Sequence, residues 1–176
     1  KKNIKTKIYI TTRNKKKAVE FIPETKKSYV KFIAIDFLLE NKINEDINPK
    51  YVLHMATTTA HETYNNISQL SKFIVLKNST EALSKIIEKN QVKRVLFVSS
   101  GVAYGDIKEF KETHKSNLDI LDPKNSLAFG KLYSEFYLNS ICNLYNTELK
   151  IARCFSFISQ YLPIHIHYAV GNFVRD

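Results

Sequence analysis

Hydroxyls, a carboxylate and a guanidinium recur in this chain directly after short apolar runs: Thr11-Thr12-Arg13, Asp36-Phe37, Ala56-Thr57-Thr58, Ser99-Ser100-Gly101 and Ser156-Phe157. At the carboxyl ends of parallel strands such groups line the crevice where open α/β sheets hold their ligands, and each set lies where a bound nucleotide would touch it. Metal chemistry is not indicated. The five histidines form no HExxH pattern, and His165 and His167 alternate as strand neighbours do, in a structural or substrate-side role. Cys142 and Cys154 stand singly, without CxxC spacing, so neither a disulfide framework nor a cysteine-rich zinc site is expected.

The apolar runs preceding these sets have strand length. Residues 7–11 (KIYIT) and 31–35 (KFIAI) read as short strands, whereas 51–55 (YVLHM) and 94–99 (RVLFVS) are continuous apolar runs, as expected for strands buried on both faces of a parallel sheet. Residues 149–155 (LKIARCF) add a fifth. Between them, residues 80–90 place Leu83, Ile86 and Ile87 on one helical face, with Ser79 or Thr80 as the cap. Residues 127–145 do the same with Phe129, Leu132, Tyr133, Phe136, Tyr137 and Ile141, and Lys15-Lys16-Lys17 begins a solvated helix. Strands alternating with helices imply crossover units and a doubly wound α/β fold with a mainly parallel sheet.

A length of 176 residues with 44% hydrophobic content supports one sizeable core rather than two. Disorder is excluded by 10 Tyr and 11 Phe set against only 4 Gly and 4 Pro. The net charge of +10 raises the question of nucleic acid, but 23 of the 27 basic residues are Lys, scattered among 15 Asn and 19 Ile, and they read as solvated surface. The longest apolar runs, such as 95–98 and 32–35, fall far below the ~18–20 residues of a membrane span. The opening KKNIKTKIYI contains no signal-peptide core, so a cytoplasmic chain without membrane contact is expected.

Five segments in order, VLHMATTT, LKNSTEAL, RVLFVSSGVAYGD, NSLAFGKLYSEFYL and ARCFSF, resemble the extended short-chain dehydrogenase/reductases, specifically the nucleotide-sugar epimerase/dehydratase group. The resemblance runs over nearly the whole chain. It implies a partial, Rossmann-like dinucleotide-binding domain over residues 1–155. Residues 156–176, with YLPIHIHYAVGNFVRD, are similar to the start of the connection to a sugar-nucleotide domain. It further implies NAD or NADP across the strand ends, a nucleotide sugar as substrate, and a hydride exchanged at a sugar carbon.

Residue by residue, the family's SSxxxYG serine, which hydrogen-bonds the reacting oxygen, maps onto Ser100. The lysine of its YxxxK pair, which lowers the tyrosine pKa and grips the nicotinamide ribose, maps onto Lys131. The tyrosine position holds Leu127, which has no proton to exchange; Tyr104 is then either a stand-in acid/base or an aromatic packing residue. Thr12 and Arg13 fall beside the adenosine ribose, where Arg13 either meets a 2′-phosphate or is solvated. Asp36 matches an adenine-side aspartate or is a cap, Ala56 and Thr57 fit a close backbone approach behind the nicotinamide-side pocket, and Asn78 matches an asparagine that lets the central helix bend around a water.

Two departures shape the functional expectation. The glycine-rich turn between the family's first strand and helix is missing, and the chain begins at what resembles the second strand. That first strand lies between the second and fourth, so its neighbours should either pair directly or leave an apolar seam that recruits another chain, such as a second copy. Gly101-Val102 replaces the acidic pair of the 4,6-dehydratases, which favours an epimerase or ketoreductase type, inactive as this fragment. A non-catalytic relic acting as a protein-interaction module is the alternative reading. A basic nucleic-acid-binding module has composition in its favour and no motif.

Overall fold

The computed structural model describes residues 6–59, 62 and 67–156; the expectations for Phe157, His165, His167 and the connecting segment lie outside them. β1 (Ile8–Thr12), rich in β-branched residues, pairs in parallel with β2 (Val30–Ala34), from Ile8↔Val30 to Thr12↔Ala34. Between them runs α1 (Lys15–Phe21), which buries no residue and is capped by Asn14, whose side chain accepts from the Lys17 amide at 3.1 Å. The lysine run does begin a solvated helix.

A second parallel sheet has the order β3-β4-β5, formed by β3 (Tyr51–His54), β4 (Arg94–Ser100) and β5 (Glu148–Cys154). Its crossovers are α2 (Gln69–Lys89) and α3 (Ser126–Leu144). Every strand pairing among the described residues is parallel, in line with the α/β expectation. β1 and β3 do not pair with each other, so of the two outcomes expected at that position the open seam is the one present among the described residues.

The core lies where α2 and α3 cover one face of the larger sheet. Val95 and Phe97 of β4 meet Leu83 and Ile87 of α2 and Leu138 and Cys142 of α3. Each such side chain contributes ~1.5–3 kcal/mol by leaving water. The helices approach closely because residue 130 is glycine: a Cβ there would lie 2.6 Å from Leu76 Cδ1.

Two expectations need correction. α2 begins eleven residues before Thr80, at a cap formed by Ser68, whose Oγ accepts from the Ser71 amide at 3.1 Å. Ser79 and Thr80 are buried inside the helix and satisfied there: Ser79 Oγ donates to the Leu76 carbonyl, and Thr80 Oγ1 donates to Ser134 Oγ of α3 at 2.8 Å. The larger sheet is also not buried on both faces. Burial alternates along β3 and β4, leaving Tyr51 and Leu53 67% and 58% exposed, because among the described residues helices cover only the opposite side.

Candidate functional site

The carboxyl end of β4 gathers the three residues with expected catalytic roles, Ser100, Tyr104 and Lys131. Ser100 ends the strand and caps the 3₁₀ turn Gly101–Tyr104, its Oγ accepting from the Val102 amide at 3.3 Å. Lys131, one turn into α3, reaches back to the same strand end, and its Nζ donates to the Val98 carbonyl at 2.8 Å. The ammonium also lies 5.2 Å from the centre of the Phe97 ring. Burial pushes Lys131 down to about 8, opposed by the negative charge of Glu135 and by Cys154. Leu127 stands one turn before Lys131, half-buried, and supplies no acid or base.

Behind this pair lies a partly buried polar cluster. Glu135 accepts from Ser99 Oγ and is clamped by Arg153 of β5, with Nε at 2.9 Å from Oε1 and Nη2 at 2.7 Å from Oε2. The Arg153 guanidinium lies 4.4 Å from the centre of the Tyr104 ring, and Tyr104 is enclosed by Phe110 and Phe155 as well. Only 5% of Tyr104 is exposed. His54, at the end of β3, stacks on Phe97 and is pushed down to about 3, first by burial and then by Lys131. Its Nε2 is buried without a hydrogen-bond partner.

The cofactor-side residues are more dispersed. Thr12 closes a local turn, its Oγ1 accepting from the Asn14 amide at 3.2 Å. Arg13 is engaged by Glu62 through both terminal guanidinium nitrogens, and that contact, with help from Thr59, holds the Glu62 carboxyl down to about 2. Asp36 caps a turn rather than a helix, accepting from the Leu38 amide at 2.9 Å. Asn78 donates from Nδ2 to the Phe37 carbonyl at 2.8 Å and so ties α2 to the end of β2. Ala56 is half-buried and Thr57 exposed beyond β3. Among the described residues no group of three or more His, Cys, Asp or Glu side chains could hold a metal, and no helix is long and apolar enough to cross a membrane.

Sequence reasoning missed Glu135, Arg153 and Glu62. The first two left a signal: Glu135 follows Lys131 by one helical turn, and Arg153 alternates with Leu149 and Ile151 on the helix-facing side of β5. Glu62 left none, since its partner lies 49 residues away.

No curated protein matches the chain. Among solved structures it is similar to a UDP-N-acetylglucosamine 4-epimerase from Methanobrevibacter ruminantium M1, in complex with UDP-N-acetylmuramic acid, at 21% identity and a TM-score of 0.74, over 96% of this chain and 54% of that one. It is similar also to a double mutant of DesIV, the dTDP-glucose 4,6-dehydratase of Streptomyces venezuelae with NAD and DAU bound, at 17% identity and a TM-score of 0.70, covering 98% and 52%. A third is the UDP-glucose 4-epimerase from Bifidobacterium longum in complex with NAD+ and UDP, at 20% identity and a TM-score of 0.63, covering 84% and 45%. These likenesses concern the fold, and the chain spans about half the length of each. The family model for the NAD dependent epimerase/dehydratase family matches residues 2–174, nearly the whole sequence. On that match, with the parallel sheet and the Ser100 and Lys131 positions at one strand end, the chain belongs to the NAD-dependent epimerase/dehydratase family.

Proposed function

We propose that residues 1–155 are the greater part of the dinucleotide-binding half of an NAD(P)-dependent nucleotide-sugar epimerase or ketoreductase, that 156–176 lead toward its sugar-nucleotide half, and that the site as it stands lacks turnover. The observation that carries the reading is the pairing of a lysine held at the end of β4 with Leu127, not a phenol, one turn before it. In this reading Lys131 holds a ribose or sugar hydroxyl, and Ser100, at the same strand end, hydrogen-bonds the reacting oxygen. Neither replaces an acid/base group matched to a sugar hydroxyl.

The residues present fit the family's cofactor at one end only. Lys131 suits the nicotinamide ribose, but among the described residues no turn from a strand to an α-helix is a glycine-rich cradle for a pyrophosphate; the turn after β1, which resembles the family's second strand, is Arg13-Asn14, with Asn14 occupied as the helix cap and Arg13 as the partner of Glu62. No hydride step is therefore assigned to the described residues. A non-catalytic interaction module is the second reading, and one surface favours it. Lys131 and Glu135, the two charged residues of α3, both turn toward the sheet, so the outer face presents Phe136 and Leu144, each 73% exposed, with Phe129 and no charge. A second copy of this chain is the partner such a face suits. The free thiols of Cys142 and Cys154 accord with a cytoplasmic setting.

The test is Leu127→Tyr in this chain joined to the flanking segments of a family relative that supply the phosphate cradle and sugar domain. Hydride transfer on a nucleotide sugar should rise by ~10²–10⁴-fold over the same chimera with Leu127. Equal turnover by the Leu127 chimera would refute the reading and direct the search to another acid/base.

A further inference from the structure

Glu135 follows Lys131 by one helical turn, the spacing at which a carboxylate and an ammonium ordinarily meet. Here they do not pair. Oε1 of Glu135 accepts from Ser99 Oγ and Arg153 Nε, Oε2 accepts from Arg153 Nη2, and the lysine turns instead to the Val98 carbonyl. The planar guanidinium wins this competition because it engages both carboxylate oxygens at once, which a point-charge ammonium cannot do.

We propose that Arg153 is a positioning residue of this site: by occupying both oxygens of Glu135 it keeps that carboxylate off Lys131, so that the ammonium stays at the strand end, available to a ligand's oxygens. The same guanidinium covers the Tyr104 ring of the 3₁₀ turn that follows β4. The inference rests on the reading of Lys131 as a ligand-holding group, but the geometry and the test below require no ligand.

Among the described residues, the groups facing Lys131 are few. From β3 comes His54, kept neutral by burial; from β4 the Val98 carbonyl and the Phe97 ring; from β5 Cys154; and from its own helix Glu135, diverted to Arg153. Of these, only Glu135 carries a full negative charge that a single substitution would release. Removing Arg153 therefore has a defined consequence: Glu135 swings to Lys131 and holds its proton.

The experiment is a ¹³C NMR titration of the chain labelled at lysine Cε, with the Lys131 resonance identified by its loss in Lys131→Met. In Arg153→Met the titration midpoint of Lys131 should rise by a pH unit or more, a tenfold or greater fall in its acid constant. In the double variant Arg153→Met/Glu135→Gln the midpoint should return to the wild-type value or below it. A merely structural role for Arg153 would lower stability in both variants without moving the midpoint in opposite directions. Where Arg153→Met fails to fold, Arg153→Gln keeps a polar contact without the charge, and the same rise is expected. An unchanged midpoint in the single variant, or a double variant that fails to reverse the rise, overturns the proposal. Because neither cofactor nor sugar is present, that failure would be separate from a failure of the proposed activity.

Discussion

Replacing Lys131 by Met should change the pH dependence of stability in a defined window. The side chain is buried, 5% exposed, and its ammonium is pushed from the ordinary 10.5 to about 8, chiefly by desolvation. The unfolded chain thus holds this proton up to about pH 10.5, while the folded chain releases it near pH 8. Between those values the unfolded state binds more protons, so stability rises with pH; below pH 8 the folded protein carries the full cost of the buried charge. At 1.36 kcal/mol per pH unit the interval amounts to roughly 3 kcal/mol. Whatever Met gains or loses in packing is common to all pH values. The stability of Lys131→Met relative to wild type should therefore be about 3 kcal/mol more favourable at pH 7 than at pH 10.5. Urea denaturation of both proteins at intervals across that range measures it. Two stability curves running parallel from neutral to alkaline pH would refute the reasoning and mean that the ammonium is well solvated.

Two further outcomes are expected. His54 is held neutral down to about pH 3, whereas its unfolded counterpart protonates near 6.5, so its contribution is fully present above pH 6.5 and is lost as pH falls toward 3. His54→Phe, which keeps the stack on Phe97, should lower the acid-unfolding midpoint followed by circular dichroism, and an identical acid limb in both proteins would count against a buried neutral imidazole. If the outer face of α3 holds a second copy, Phe136→Glu should shift sedimentation toward the monomer with little change in melting temperature; an unaltered sedimentation profile would move the contact elsewhere.

The strands were legible because their apolar runs are short, separated by polar residues and followed by hydroxyls, as at residues 94–100. The start of α2 was not. Ser79-Thr80 looks like a helix beginning, yet it lies at mid-helix because Ser134 and the Leu76 carbonyl supply its hydroxyl partners, and one of those partners comes from another helix. The expected burial of both sheet faces followed from apolar residues at successive positions of β3, and the structure shows that such a run records what the strand could cover rather than what covers it. Lys131 and Ser100 were readable as local motifs. Their environment was not, since Glu135 is held by Arg153, 18 residues away, and Arg13 is taken by Glu62, 49 residues away. Pairings of that kind depend on topology, which periodicity does not encode.

The central claim, a family site that keeps its lysine but whose described residues provide no phosphate cradle, is tested most directly by isothermal titration of the 176-residue chain with NADH. The several backbone hydrogen bonds that would hold a pyrophosphate are each worth about 1.5–3 kcal/mol when charge-assisted. Without them the expected dissociation constant is about millimolar or weaker, with no saturable heat at ordinary protein concentrations. Saturable binding in the micromolar range would contradict the claim and require an anion site elsewhere in the chain.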